Sequence, residues 1–388
     1  MNSVLMQLSE EHRALAATVH DFANEVVAPV AAYHDKAQSF PYDVVRQMAE
    51  IGLFALPFPE EFGGMGGDYL SLCLAIEELA RVDQSVAVTL EAAVCLGSMP
   101  IFRAGTFDQK EQFLRPLISG EALGAFGLTE PDAGSDASRL RTSARLASEE
   151  WVINGAKTFI TNSGTSITSL VTVACVTGER ADRSKEISTI IVPAGTPGFT
   201  VDPPYSKVGW HASDTHPLTF SNVHVPANNL LGERGRGYAN FLQTLDEGRV
   251  AIAALAVGAA QGCIDEAVRY AKERKAFGKS IGEHQAIAFK IAEMEARTHT
   301  ARLAYYHAAF LIEAGKDFKT EASIAKLVAS EAAMDNARAA TQIFGGYGFM
   351  DEFPVARHYR DSKILEIGEG TSEVQKILIA RSFGLNAE

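Results

Sequence analysis

Along the first third of the chain, apolar residues recur at helical spacing. Leu8, Leu15, Val19, Phe22 and Val26 form one stripe, which Pro29 interrupts. A second helix is predicted from Pro41 to Gly52, with Val44, Met48 and Ile51 along one face. The turn-rich loop Pro57 to Gly67 then leads into two apolar helices near 68–82 and 85–104. Thr106-Phe107-Asp108-Gln109 has capping-box form and opens a helix ending near Gly120. At about Leu123 the period shortens to that of strands. Asn154-Gly155, between Trp151-Val152-Ile153 and Thr158-Phe159-Ile160-Thr161, reads as a two-residue hairpin turn. Further β-rich runs cover Leu170 to Val176, Ile187 to Val192 and Leu218 to Val225. Past Asn229 the helical period returns in long, Ala-rich segments near 237–273, 284–314 and 319–344, and a shorter helix follows Thr371.

This order predicts an α+β chain of three units. An N-terminal all-α domain spans 1–120, a middle antiparallel β-barrel or sandwich 121–232, and a C-terminal four-helix bundle 233–388. The length of 388 residues fits, at about 100–200 residues per domain.

The net charge of -13 argues against a nucleic-acid-binding protein, since phosphate backbones demand a basic face. Cys73, Cys95, Cys175 and Cys263 lie far apart, so reduced, buried thiols are expected instead of a disulfide or zinc framework. No basic leader and no run of about 20 apolar residues is read, so neither a signal peptide nor a membrane span is expected. A bacterial cytoplasmic protein is the expectation.

The chemistry concentrates near the C-terminus. Glu369 lies between Gly368 and Gly370 and is followed by Thr371 and Ser372. Glycines let the backbone approach a ligand, and a carboxylate there becomes a general base once burial raises its pKa. Equally, the stretch reads as an exposed acid in a turn ahead of a helix capped by Thr371 or Ser372. Gly278-Lys279-Ser280 imitates the end of a P-loop, but Glu273 stands where the first glycine belongs. No Gly-x-Gly-x-x-Gly occurs, and no histidine follows a glutamate by three residues, so neither a Rossmann site nor a di-iron bundle is supported. No metal site is expected.

The segment Ala125-Phe126-Gly127-Leu128-Thr129-Glu130-Pro131-Asp132-Ala133-Gly134-Ser135-Asp136 resembles a signature of the acyl-CoA dehydrogenase family. Phe159-Ile160-Thr161-Asn162, Arg274-Lys275-Ala276-Phe277-Gly278-Lys279, Gln342-Ile343-Phe344-Gly345-Gly346-Tyr347-Gly348 and Glu369-Gly370-Thr371-Ser372 resemble the same family, in the same order. The resemblance implies FAD as cofactor and dehydrogenation of an acyl-CoA thioester to the 2-enoyl-CoA. It makes Glu369 the base for the α-proton, with hydride passing to flavin N5. The backbone N–H of Glu369 and a ribityl hydroxyl would polarise the thioester carbonyl, as an oxyanion hole does.

By the same resemblance Phe126, Leu128, Thr129, Phe159 and Thr161 meet the flavin ring. Ser135 contacts flavin phosphate or pantetheine. Phe159 stands where many relatives carry tryptophan. Arg274, Phe277, His284 and Gln285, with Gln342 and Gly346, match an adenosine and pyrophosphate site shared with a neighbouring subunit; Thr371 and Glu373 align with further cofactor contacts. A shared site implies a dimer at least, and a homotetramer by family habit. Asp246 and Arg249 align beside pantetheine and base. Some relatives carry their base at the position held here by Gly248, with Glu247 the only rival.

Gly368 replaces a tyrosine common in the family, which leaves room near the thioester for α-branched or bulky acyl groups. The closest likeness is to short-chain and short/branched-chain members. Trp210-His211 is a second departure, read as surface packing. Electron-transferring flavoprotein is the expected acceptor; an oxygen-using oxidase and a non-catalytic acyl-CoA or flavin scaffold are the alternatives.

Overall fold

The computed structural model describes residues 7–385. The helices are α1 (Glu10–Phe22), α2 (Ala28–Ala37), α3 (Tyr42–Glu50), α4 (Tyr69–Val82), α5 (Gln84–Glu91), α6 (Met99–Ala104), α7 (Phe107–Gln109) and α8 (Arg115–Ile118). Beyond the sheet come α9 (Gly237–Glu273), α10 (Gln285–Glu313), α11 (Lys319–Phe344), α12 (Pro354–Ser362) and α13 (Ser372–Ser382).

Pro29 does not end the first helix. A π-helical stretch, Ala23–Val27, carries the chain from α1 directly into α2. The same device recurs at Ala92–Ser98 before Pro100 and at Lys110–Leu114 before Pro116. Proline lacks an N–H and its ring collides with the carbonyl four residues back; a wider turn accommodates both. The Thr106 capping box forms as expected, with reciprocal bonds to Gln109 of 3.2 and 3.0 Å.

The strands are β1 (Leu123–Gly127), β2 (Ser143–Ala147), β3 (Glu150–Thr161), β4 (Thr168–Glu179), β5 (Lys185–Pro193), β6 (Phe199–Val201), β7 (Thr215–Pro226) and β8 (Leu230–Leu231). They make one eight-stranded sheet in the order β6-β7-β3-β2-β4-β5-β8, with β1 on β4. Most pairs are antiparallel, but β1 runs parallel to β4, and β2 meets β4 in parallel at Ser143 and Val176. Apolar alternation fixes the face of a strand and not its direction, so these pairs were not legible beforehand.

The predicted turn at Asn154-Gly155 is not a turn. β3 runs straight through it, and the hairpin lies instead between Ala147 and Glu150, where Ser148 has φ 57°. Gly155 has φ 149° at a register shift against β7, and a Cβ there would lie 2.5 Å from Thr142 Oγ1. Glycine serves a bulge and a close backbone approach here.

Trp210-His211 is likewise no surface feature. Trp210 N donates to Asp361 Oδ1 on α12 at 2.6 Å, and its indole N–H to Gln84 Oε1 on α5 at 3.3 Å. His211 Nδ1 lies 3.0 Å from Asp35 Oδ1 on α2, and Arg360 of α12 pairs with the other Asp35 oxygen at 2.5 Å. This polar junction ties together both helical regions and the sheet.

Two helical stretches, Gln84–Ala104 and Gly237–Glu273, are long and apolar enough to cross a membrane, against the expectation that no such run exists; both are mostly buried within the protein. The residues of α9 from Val250 to Ala260 are all buried, against α4, α5 and α11. The four cysteines are free and buried.

Replacing Gly155 with valine forces a clash with Thr142 and a strained backbone. The expected loss is about 1–3 kcal/mol of stability, to be read as a lower midpoint in thermal or denaturant unfolding.

Candidate active site

The C-terminal motif forms a sharp corner between a 3₁₀ turn, Lys363–Glu366, and α13. Gly368 N closes onto Ile364 O at 2.8 Å, after which Glu369 and Gly370 both take positive φ, 51° and 94°. A left-handed conformation disfavours any residue with a Cβ, so Glu369 is held there by its surroundings. Gly370 O accepts from Gln375 Nε2 at 2.9 Å and from Lys326 Nζ at 2.8 Å. Thr371 caps α13, its hydroxyl accepting from Val374 N at 3.3 Å, while Glu373 is exposed.

The corner aims the Glu369 carboxylate at α9. A Cβ on Gly248 would meet Glu369 Oε2 at 2.3 Å, so this glycine is the space the carboxylate fills. Glu369 as a residue is half-buried, whereas Oε2 is sealed from solvent and has no hydrogen-bond partner among the described residues. Burial pushes its pKa up to about 7, against the pull of the neighbouring Glu91 carboxyl and the charges of Lys326 and Arg249. Glu91, on α5 and 1% exposed, is held far above the ordinary range by burial and by the neighbouring Glu369. Of this carboxyl pair, Glu91 is the one pushed further towards its acid form.

Asp246 and Arg249 are both buried on α9 and pair with each other; Lys319 Nζ stands 3.8 Å from the second Asp246 oxygen. The rival carboxylate Glu247 is ion-paired to Arg103 at 2.7 Å. Gly368 is half-buried, and its nearest neighbour to an added Cβ is Ile364 O at 3.5 Å, which leaves room for a side chain.

A second group lies on the sheet. Phe126 on β1 packs on Phe241 of α9 with ring centroids 4.3 Å apart, and Leu128 belongs to the same apolar cluster. Glu130 fixes this edge: it accepts from Thr142 N at 2.9 Å and pairs with the fully buried Lys157 at 2.8 Å. Lys157 Nζ also binds Leu128 O at 3.1 Å. Between Lys157 and Ile160 the register of β3 slips, and Phe159 is thrown outward at φ 60°, 65% exposed beside Tyr205. The hydroxyls of Thr129 and Thr161, both half-buried, make no side-chain hydrogen bond among the described residues. Ser135 is exposed on the loop that follows β1.

A third group sits at the other end of the bundle. Arg274 closes α9 and is exposed; Phe277 is 96% exposed, its ring edge-on to His284. Gln285, Gln342 and Gly346 are exposed nearby in the fold, around the junction of α9, α10 and α11. From Asp246 to Arg274 is 28 residues along α9, or about 42 Å. The chain does not bring this group to Glu369.

Three family models match, described as the acyl-CoA dehydrogenase N-terminal domain at residues 9–121, middle domain at 125–223 and C-terminal domain at 235–384. The chain belongs to the acyl-CoA dehydrogenase family. It is 47% identical to the "Probable acyl-CoA dehydrogenase YngJ" of Bacillus subtilis, over 97% of this chain and 98% of the relative. Butyryl-CoA dehydrogenase from Megasphaera elsdenii superposes with a TM-score of 0.94 at 42% identity, over 98% and 99% of the two chains. A chain from the structure of the electron transferring flavoprotein of Acidaminococcus fermentans does so at 0.94 and 40%, over 97% and 98%. This acyl-CoA dehydrogenase is an FAD-dependent oxidoreductase acting on acyl-CoA. The sheet edge fits a flat conjugated ring: an outward aromatic wall at Phe159 and two unspent hydroxyls at Thr129 and Thr161.

Glu91, Lys326 and the Glu130–Lys157 pair escaped the sequence reading. Glu91 is the lone carboxylate in the apolar run Gln84–Ala104, and Lys326 falls on the buried face marked by Ala322, Ala325, Ala329 and Ala333. A charge in such a register is a legible signal.

Glu91→Leu removes the neighbouring carboxyl that holds the Glu369 pKa down and raises it further, so the acidic limb of the kcat/KM–pH profile moves to higher pH. Glu91→Gln, which keeps a polar side chain of the same size there, leaves the limb closer to that of the parent enzyme.

Proposed function

We propose that Glu369 is the base that removes the α-proton of the bound acyl-CoA. The observation that carries this is its Oε2: buried, unpartnered and aimed into the space left by Gly248. A carboxylate titrating near 7 is matched to proton transfer at neutral pH. FAD, when bound, supplies the hydride acceptor. The backbone N–H of Glu369 orients and polarises the thioester carbonyl, Asp246 and Arg249 border the pantetheine arm, and Ser135, Gly368 and Gly370 line its approach. Phe126, Leu128, Thr129, Phe159 and Thr161 hold the ring of the cofactor, with Thr371 and Glu373 beside it.

Arg274, Phe277, His284, Gln285, Gln342 and Gly346 bind the adenosine half of a second subunit's cofactor. Two features support that assignment: their distance from Glu369 along α9 and the exposure of Phe277. Arginine at such a site grips pyrophosphate with two parallel donors. The enzyme is therefore at least a dimer, and a tetramer in our reading. Domain limits of 1–120, 121–232 and 233–388, electron-transferring flavoprotein as acceptor, and a bacterial cytoplasmic setting complete it. The likeness to the Acidaminococcus fermentans structure supports the acceptor.

Gly368 sets specificity in favour of short, α-branched acyl groups, because a side chain in that position would crowd the α-carbon. The room above its Cα supports this.

Two measurements test the reading. In anaerobic titrations with an acyl-CoA panel, Glu369→Gln is expected to keep its FAD and lose about 10²–10⁴-fold in flavin-bleaching rate; unchanged turnover would overturn the base assignment. Isobutyryl-CoA and 2-methylbutyryl-CoA should be oxidised at rates comparable to or above that of butyryl-CoA, and Gly368→Tyr should depress the branched substrates selectively, by about tenfold or more. Strict preference for the straight chain in the parent enzyme would sink the specificity assignment.

A further inference from the structure

We propose that Lys326 is a positioning residue for the reaction: from α11 it clamps the Glu369–Gly370 corner and sets the charge state of Glu369 through space. The inference rests on Glu369 being the base.

Lys326 is fully buried, and its Nζ donates to Gly370 O at 2.8 Å. It forms no ion pair with a carboxylate among the described residues. Taking an ammonium out of water costs several kcal/mol unless charge or hydrogen bonds compensate. A tether alone does not call for that cost, since Gln375 Nε2, a neutral donor, already binds the same carbonyl at 2.9 Å and reaches Glu369 O at 3.3 Å. What a neutral donor cannot supply is positive charge.

The groups that face this corner come from three helices and from the corner's own two flanks. Glu91 approaches from α5, Arg249 from α9 and Lys326 from α11, while Glu366 and Glu373 belong to the corner's own flanks. Arg249 is committed to Asp246, and the Glu247 carboxylate to Arg103. Lys326 is thus the one uncommitted cation of this group. Burial lowers its own pKa to about 8, with Glu369 the largest opposing influence, so at neutral pH it remains charged.

The consequence for catalysis has two parts. The clamp keeps the left-handed corner from relaxing, so the carboxylate stays over Gly248 and the Glu369 N–H keeps its direction. The charge favours the ionised form of Glu369 against burial, and an ionised base is the form that accepts a proton.

Two variants separate clamp from charge, each assayed as the FAD-loaded enzyme. Lys326→Met removes both and Lys326→Gln keeps a donor. In both, the acidic limb of kcat/KM is expected to move to higher pH. The kcat at the pH optimum is expected to fall on the order of tenfold or more in Lys326→Met, with KM nearly unchanged, and to recover substantially in Lys326→Gln. A merely structural lysine would lower the unfolding temperature and leave the limb in place; an unmoved limb in flavin-loaded Lys326→Gln overturns the proposal, whether or not Lys326→Met keeps its flavin. Glu369→Gln run alongside keeps the two readings apart. If that variant is inactive and the Lys326 limb is unmoved, only the present inference falls; if it remains active, the base assignment falls first.

Discussion

The site depends on an unfavourable arrangement held in place by everything around it: a carboxylate buried without a partner for one oxygen, on a residue in a left-handed conformation. Neither survives in isolation. A free chain would relax the backbone and hydrate the acid, and only a packed surround over-determines both. α9 contributes an absent side chain at Gly248, α5 the neighbouring carboxyl of Glu91, α11 the Lys326 clamp, and α13 Gln375 with the Thr371 cap. Residues more than 250 positions apart in sequence thus fix one carboxyl group.

The same economy appears on the sheet. The edge that carries Thr129, Phe159 and Thr161 is irregular backbone, with Phe159 displaced by a register slip, and irregular backbone needs its polar groups satisfied. The buried Lys157–Glu130 pair does this by binding Leu128 O and the amides of Arg141 and Thr142. A buried pair contributes little net stability on its own, but it selects one arrangement of the loop. Thr129 and Phe159 keep their places because the residues next to them are locked.

Besides the apolar core that the helices share with Leu123, Leu170 and Ile191, a polar junction of Asp35, Gln84, Trp210, His211, Arg360 and Asp361 joins the helical regions to the sheet, with Arg357 and Asp83 paired at 3.4 Å beside it. Burial, with Asp83 nearby, pushes the Asp361 carboxyl up to about 7, and Trp210 N holds it in register with the sheet. A polar seam of this kind is directional where an apolar contact is not, so it favours one orientation of the helices against the loop that carries Trp210.

Sequence alone determined much of this protein. Helical and strand periods gave the α, β, α order because burial imposes those periods directly on residue type. The motifs around Glu369, Thr129, Thr161 and Arg274 carried the family, since close approach and hydrogen bonding restrict which residues fit. Tertiary structure decided the rest. Asn154-Gly155 has the composition of a turn, yet β7 and Thr142 pack against it and make it a bulge. Pro29 has the form of a stop, yet a wider turn passes it. Strand direction in β1 leaves no trace in alternation. Glu91 and Lys326 are remote in sequence from Glu369, and only folding brings their charges close enough to act on it: electrostatic coupling depends on distance and burial, neither of which a linear pattern records.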